Sequence, residues 1–256
     1  MINLIILSKN RPLQLHATLK SIYQNYNIFD EINVIIKVTD DKFEQGYMKL
    51  QYDFYEESNL SLFKENKLKN DILLHLRDDF DYTCFIVDDD IVFRKIIIDK
   101  SYIIKTLESN DIACFSLRLG NNCRNSPKKT IFDWTKQRKN FAYPLSLDGH
   151  IFRTDLIKPM IEKINFNNPN ALEAHLQGFK PAIPKYIACF EKSILVGIPI
   201  NKVSDTSSCS AGEKFSYTPE YLNNKYLDGW ILDIDKMDFS GVNDCHCEIE
   251  FKFKKA

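Results

Sequence analysis

The chain has 256 residues and a mass of 29.9 kDa, with 44% hydrophobic and 27% charged side chains. That is enough for one large α/β domain with a substantial core, and the charged fraction argues against a membrane-embedded protein. With 34 Lys and Arg against 35 Asp and Glu, the formal charge is -1, so no general attraction to nucleic acid is expected. No apolar run approaches the ~20 residues that a spanning helix needs, and the opening stretch Ile2 to Leu7 is too short for a signal-peptide core. Seven cysteines, odd in number and without framework spacing, suit reduced thiols. The expectation is a cytoplasmic protein.

In chain order, Asn3 to Leu7 reads as a first strand that ends in the polar run Ser8-Lys9-Asn10-Arg11. Pro12 then suits the first turn of a helix whose apolar face is Leu13, Leu15, Leu19 and Ile22. Ile32 to Val38 is a second strand, closing on Thr39-Asp40-Asp41. A helical stretch from about Glu44 to Glu57, a short strand at Ser61 to Phe63 and a helix from Leu68 to Leu76 follow. The alternation predicts a mostly parallel sheet built from βαβ units. Polar clusters recur just after the strands, so those loops gather on one sheet edge.

The stretch Cys84 to Phe93 is the most informative. A short aromatic and β-branched run ends in Asp88-Asp89-Asp90, and a second apolar run follows at once. The first part reads as a buried strand. Three adjacent ionised carboxylates at its end repel one another, and a hard divalent cation with oxygen ligands relieves that repulsion. In an open α/β sheet, ligands sit outside the carboxyl ends of the strands, where these aspartates lie.

Beyond the carboxylates, Ser101 to Leu107 reads as helix and Ile112 to Leu117 as strand, and Gly120 to Asn140 is polar and irregular. Thr154 opens a helix to about Ile164, and Asn170 opens another, with Glu173 placed to reach back as in a capping box. Tyr186 to Phe190 and Ile194 to Ile198 are strand-like. Asn201 to Gly212 is Ser-rich and reads as a mobile loop. Thr218-Pro219-Glu220 starts a last helix, and the tail Cys247 to Phe253 alternates like an edge strand. The division expected is one domain over 1–256, with a nucleotide-binding half at 1–120 and a mixed acceptor-side half at 121–256.

Acidic strand ends occur in several enzyme classes. The chain has no G-x-x-x-x-G-K-[ST] phosphate loop, which removes the P-loop enzymes. Asp88-x-Asp90-x-Val92 matches the haloacid-dehalogenase phosphatase string, but in that family the motif follows the first strand. Three elements in order, Ile5 to Pro12, Val38 to Asp41 and Ile86 to Asp90, resemble the nucleotide-binding elements of GT-A glycosyltransferases of the family 2 type. The resemblance covers residues 1–120 and continues more loosely to about residue 200. It implies a GT-A-like α/β fold and transfer of a sugar from a nucleotide-diphosphate donor, a UDP-sugar first, to an acceptor hydroxyl, with inversion.

On that reading Mn²⁺ or Mg²⁺ is held by Asp90 first, with Asp88 contacting ribose or metal and Asp89 on the nucleotide side. Ser8, Lys9, Asn10 and Arg11 would frame base and ribose, and Asp40 or Asp41 would accept from a uracil-like ring N–H. Lys202 would place a cation over the diphosphate. The resemblance implies an acidic general base in the second half. Glu173 leads and Asp148 follows, their bland alternatives being the helix cap and an Asp-Gly turn. Cys245-His246-Cys247 is too tightly spaced for a zinc site, Trp134 is a satellite-core or sugar-stacking residue, and His150 reads as structural. Lys252, Lys254 and Lys255 allow at most a peripheral membrane contact. A carbohydrate- or nucleotide-binding module without catalysis is the remaining alternative.

Overall fold

The computed structural model describes residues 1–203 and 211–256. The first half alternates as β1 (Ile2–Lys9), α1 (Pro12–Asn25), β2 (Glu31–Lys37), α2 (Glu44–Asp53), β3 (Leu60–Lys64), α3 (Leu68–His75) and β4 (Tyr82–Val87). Then come β5 (Asp90–Val92), α4 (Lys100–Leu107), β6 (Ile112–Ser116), β7 (Ile131–Asp133), β8 (His150–Arg153), α5 (Thr154–Lys163) and α6 (Pro169–Leu176). The chain closes with β9 (Tyr186–Cys189), β10 (Leu195–Gly197), α7 (Pro219–Leu227), β11 (Trp230–Leu232) and β12 (Phe253–Lys255).

Eight strands form one sheet in the order β3-β2-β1-β4-β8-β6-β9-β7. The first four are mutually parallel. β8 runs antiparallel between β4 and β6, and β6 returns parallel to β9. The mostly parallel α/β sheet flanked by helices is therefore present, and its mixed character begins at β8. β1 is buried along almost its whole length, as a strand covered on both faces must be. Its alternate residues feed two cores. Leu4 and Ile6 pack with Cys84, Ile86, α1 and α7, whereas Ile5 and Leu7 pack with Phe85, α3, α5 and α6.

Local chemistry explains the helix starts. Pro12 opens α1, its missing N–H costing nothing at a first turn. Thr218 caps α7 by accepting from the Tyr221 N–H at 3.1 Å, with Pro219 next. The cap of α6 is Asn168, which accepts from the Ala171 N–H at 2.9 Å, and not Asn170. Pro169 pre-sets the first turn and moves the start forward, so Glu173 is released from the capping role. The expected edge strand at Cys247 to Phe253 is displaced to β12, which pairs antiparallel with β11. Lys252 and Lys254 in this tail are paired with Glu250 at 2.5 Å and Asp233 at 2.7 Å.

Part of the Ser-rich stretch Asn201 to Gly212 lies outside the described residues. Among the described residues, no helix is long and apolar enough to cross a membrane. The six described cysteines are free thiols.

His16 on α1 is buried between the rings of Phe54 and Tyr226, at centroid distances of 5.3 and 5.4 Å. Burial pushes its pKa down to about 4 from 6.5. On acidification the unfolded chain takes up the proton first. The contribution of His16 is therefore complete above pH 6.5 and is lost as pH falls toward 4, by up to about 3 kcal/mol. His16→Phe, followed by urea unfolding across that window, is expected to flatten the acid slope; an unchanged slope would rule this out.

Candidate active site

The register of β1 against β4 pairs Leu7 with Val87. Both strands therefore end at the same level, and the turn Ser8 to Arg11 faces the acidic run. Asp88 is buried there and fully engaged. Its Oδ2 accepts from Ser8 Oγ and from the Lys9 N–H, each at 2.9 Å, and its Oδ1 accepts from Arg11 Nη1 at 3.0 Å. The same Nη1 donates to Asp89 Oδ2 at 3.0 Å. Arg11 Nε donates to Asn201 Oδ1 at 2.7 Å, and Nη2 to the Asn201 carbonyl. Tyr47 closes the network, its hydroxyl 2.7 Å from Ser8 Oγ and accepting from the Arg11 N–H at 3.0 Å.

Burial pushes Asp88 up to about 6 against the pull of Arg11. Both oxygens of Asp88, expected to contact ribose or metal, already accept from the protein's own network, so Asp88 is less free than Asp90 to meet a ligand.

Asp90 differs from its neighbours. β5 pairs antiparallel with β10, setting Asp90 opposite Gly197. Its Oδ2 accepts from the Val87 N–H at 3.0 Å, whereas its buried Oδ1 has no partner. Burial, then the charges of Asp148 and Asp89, push its pKa well above the carboxylate range. A Cβ on Gly197 would sit 3.3 Å from that free oxygen and 2.5 Å from His246 Cδ2. The glycine thus lets the late segment approach the acid.

A second cluster forms where the antiparallel β8 begins. Gly149 lies in the left-handed region at φ 71, and its N–H donates to the Phe85 carbonyl at 2.7 Å. This seats Asp148 beside β4. Asp148 Oδ2 accepts from Arg118 Nη1 at 2.9 Å and lies 3.1 Å from His246 Nε2. Burial opposes ionisation, but the His246 bond and the Arg118 charge hold the carboxyl down at about 2. Ser146 links this cluster to Glu173. Its hydroxyl donates to Glu173 Oε1 at 2.7 Å and accepts from the Asp148 N–H at 3.2 Å. Glu173 Oε1 also accepts from the Leu147 N–H at 3.0 Å. Burial, then the charge of Asp148, raise the Glu173 pKa.

The structure thus brings together Ser8, Lys9, Arg11, Asp88 and Asp89, and, through β5 and β10, Asp90 with the cluster of Asp148 and Glu173. Asn10 stands at the edge, its left-handed backbone at φ 54 and its amide donating to Thr39 Oγ1 at 2.6 Å. Asp40 and Asp41 are exposed; Asp40 caps the following turn through the Lys42 N–H at 3.1 Å and pairs with Lys42 Nζ at 2.7 Å. Lys202 is exposed just past Asn201. Trp134 is buried and donates to the Pro184 carbonyl at 2.7 Å, a packing role. His150 is buried and pushed by that burial to about 3.

Sequence reasoning missed Arg118, His246, Asn201, Tyr47 and Gly197. In the sequence His246 stands out only as a zinc candidate between two cysteines, and its register against Gly197 has no local signature. At Asn201-Lys202 the sequence draws the eye to the charge, whereas the structure uses the neutral amide of Asn201. Among the described residues, no three His, Cys, Asp or Glu side chains are arranged to hold a metal ion by themselves. The orphaned Asp90 oxygen is what a cation would satisfy, with phosphate oxygens and water completing its shell, as Mg²⁺ prefers.

No family model matches the chain, and no curated protein matches its sequence. Its fold does match solved structures. TarS from S. aureus superposes with a TM-score of 0.53 at 16% identity, covering 78% of this chain and 37% of that one. Residues 1–349 of TarS in complex with UDP superpose at 0.52 and 18% identity, covering 76% and 59%. The complex of that fragment with UDP-GlcNAc superposes at 0.50 and 17% identity, covering 76% and 57%. The chain spans from 37% to 59% of the length of these structures. The fold is that of the GT-A glycosyltransferases.

Arg11 holds this site together, so its loss leaves the buried Asp88 and the half-buried Asp89 without their cation. Arg11→Ala is expected to cost about 3–5 kcal/mol of unfolding free energy. Chemical denaturation checks this, and a loss below 1 kcal/mol, on the order of a surface pair, would refute it.

Proposed function

We propose that the protein is a metal-dependent glycosyltransferase that moves a sugar from a nucleotide-diphosphate donor, a UDP-sugar first, to an acceptor hydroxyl with inversion. The observation that carries this reading is the buried, unpartnered Oδ1 of Asp90 at the carboxyl edge of a GT-A sheet. A carboxylate in that position is costly without a cation. A divalent ion bound there would act as a Lewis acid on the diphosphate. Asp90 would hold it.

The residues divide the remaining work. The turn Ser8 to Arg11, stiffened by its bonds to Asp88, forms the floor for base and ribose, with Asp89 on the nucleotide side. As the acceptor oxygen bonds to the anomeric carbon and the sugar–phosphate bond breaks, the acceptor proton must leave. Glu173 and Asp148 are the two acids near enough to be considered. Asp148, held at about 2 by His246 and Arg118, is a weak base. Glu173, raised by burial, lies nearer the neutral range where a general base works best. Glu173 is therefore the base, and Asp148 positions Arg118 and His246.

Thermal unfolding with nucleoside diphosphates, with and without Mn²⁺, tests donor and metal together, because a ligand that binds the native state raises Tm by mass action. One nucleotide is expected to stabilise the wild type only with metal present, and Asp90→Asn to lose that metal dependence while remaining folded. Glu173→Gln is expected to keep the stabilisation but lose transfer by about 10²–10⁴-fold. Retention of wild-type turnover in either variant would count against the assigned role. Binding without any transfer or donor hydrolysis would favour a non-catalytic module.

A further inference from the structure

Among the described free thiols, one pair differs chemically from the rest. Burial pushes Cys84, Cys114 and Cys189 up, so these three stay protonated and inert. Cys123 moves the other way, down to about 7, although it is buried. The largest cause is a hydrogen bond from the Cys245 thiol. Burial opposes it, and the Ser193 hydroxyl and the Gly120 N–H add to it. A share of Cys123 is therefore thiolate near neutrality, and the thiolate is the form that reacts.

Three separate segments meet to build this environment. Cys123 closes a turn on Gly120, its N–H donating to the Gly120 carbonyl at 3.0 Å. Asn122 clamps Ser193: its amide donates to Ser193 Oγ at 2.9 Å, and its Oδ1 accepts from the Ser193 N–H at 2.8 Å. Ser193 Oγ, having accepted that bond, keeps its own proton for the Cys123 sulfur. The Arg124 N–H donates to the Asn243 carbonyl at 2.8 Å, and the Asn122 amide reaches the Val242 carbonyl at 3.3 Å. These bonds lay the segment 242–245 alongside Cys123. There the sulfurs of Cys123 and Cys245 converge on a single atom, the Arg118 carbonyl oxygen, at 3.6 and 3.8 Å. Two sulfurs so close to one oxygen are direct neighbours.

We infer that Cys123 and Cys245 form a reversible disulfide, closed by hydrogen peroxide and opened by dithiols, that weakens the candidate site when closed. The Cys123 thiolate attacks one peroxide oxygen, the O–O bond breaks, and hydroxide leaves to become water with the proton that Cys123 had shed. Cys245 then attacks the sulfenic sulfur, and its thiol proton leaves with the hydroxyl as a second water. The two sulfurs together lose two electrons, and one hydrogen peroxide is reduced to two waters. A dithiol reverses the step by exchange. The bond closes directly behind the acceptor-side acids. Cys245 is followed by His246, whose Nε2 lies 3.1 Å from Asp148 Oδ2, and its carbonyl accepts from the Gly197 N–H at 2.9 Å. Arg118, whose carbonyl both thiols touch, is the other partner of Asp148. Joining the sulfurs therefore pulls on both residues that hold Asp148 and on the glycine opposite Asp90. The disulfide follows from the two thiols alone, whereas its effect on transfer rests on the transferase reading.

The test treats the whole protein with a small excess of hydrogen peroxide. Intact mass is expected to show the loss of two hydrogens, and peptide mapping without reductant to link the peptide carrying Cys123 to the one carrying Cys245. Dithiothreitol is expected to undo both changes. In Cys245→Ala the reaction is expected to stop at the sulfenic acid of Cys123, trapped by dimedone, and Cys123→Ala to give neither product. Should a variant fail to fold, mapping of the wild type alone decides. A disulfide between another pair, over-oxidation without a cross-link, or a Cys123 that resists peroxide while the half-buried Cys247 is oxidised would overturn the inference. Sugar transfer is expected to fall about tenfold on cross-linking and to recover with dithiothreitol, while C123A/C245A keeps its rate in peroxide. Undiminished transfer by the cross-linked protein would also overturn the inference. Absence of transfer in the reduced wild type would instead overturn the transferase reading and leave the cross-link standing, so the two failures are separable.

Discussion

The guanidinium of Arg11 is the point on which the donor side of this molecule depends. It touches Asp88 and Asp89 with one nitrogen and Asn201 with the other two. Coulomb attraction alone does not account for its stability, because desolvating a cation and two carboxylates costs about as much as their pairing returns. What tips the balance is saturation. Asp88 accepts three donors, one of them a main-chain N–H, and Arg11 spends its remaining nitrogens on Asn201. A half-satisfied network of this kind would be worse than an apolar core.

That saturation also sorts three chemically identical side chains into different tasks. Asp88 is consumed in holding the turn. Asp89 shares the same cation from a more open position. Asp90, lifted away by β5 and set against Gly197, is left with one oxygen buried and unanswered. A similar sorting occurs on the acceptor side. Asp148 takes both Arg118 and His246 and stays ionised far into acid, whereas Glu173 has only neutral donors on its bonded oxygen and is raised. Two carboxylates joined through Ser146 are thus pushed in opposite directions by their different partners.

The donor side was largely legible because its signals are local. A strand, a polar turn and Pro12 are read within a dozen residues, and the apolar run into Asp88-Asp89-Asp90 marks both a strand and its end. The acceptor side was less legible because its partners are distant in the chain. His246 and Asp148 are 98 residues apart, and Arg11 and Asn201 are 190 apart. No periodicity records such pairings. Asp40 and Asp41 looked equivalent to the acids after β4 because both follow a strand. β2 ends nearer the sheet edge, however, and there an aspartate finds water and a local lysine. The capping box at Asn170 and Glu173 failed for a smaller reason, since Pro169 moved the helix start to Asn168.

The late segment therefore does more than complete the sheet. β10 supplies Gly197 opposite Asp90, Asn201 follows within four residues to receive Arg11, and His246 is bridged back onto Gly197. One short stretch thus answers both the donor-side cation and the acceptor-side acid. Its glycine is required by space, because any side chain at 197 would fall on His246 and crowd the free oxygen of Asp90. Neither cluster can reach this geometry until residues beyond 190 have docked. The two clusters are consequently tied together, and a disturbance of β10 is felt at Asp90 and at the turn Ser8 to Arg11 alike.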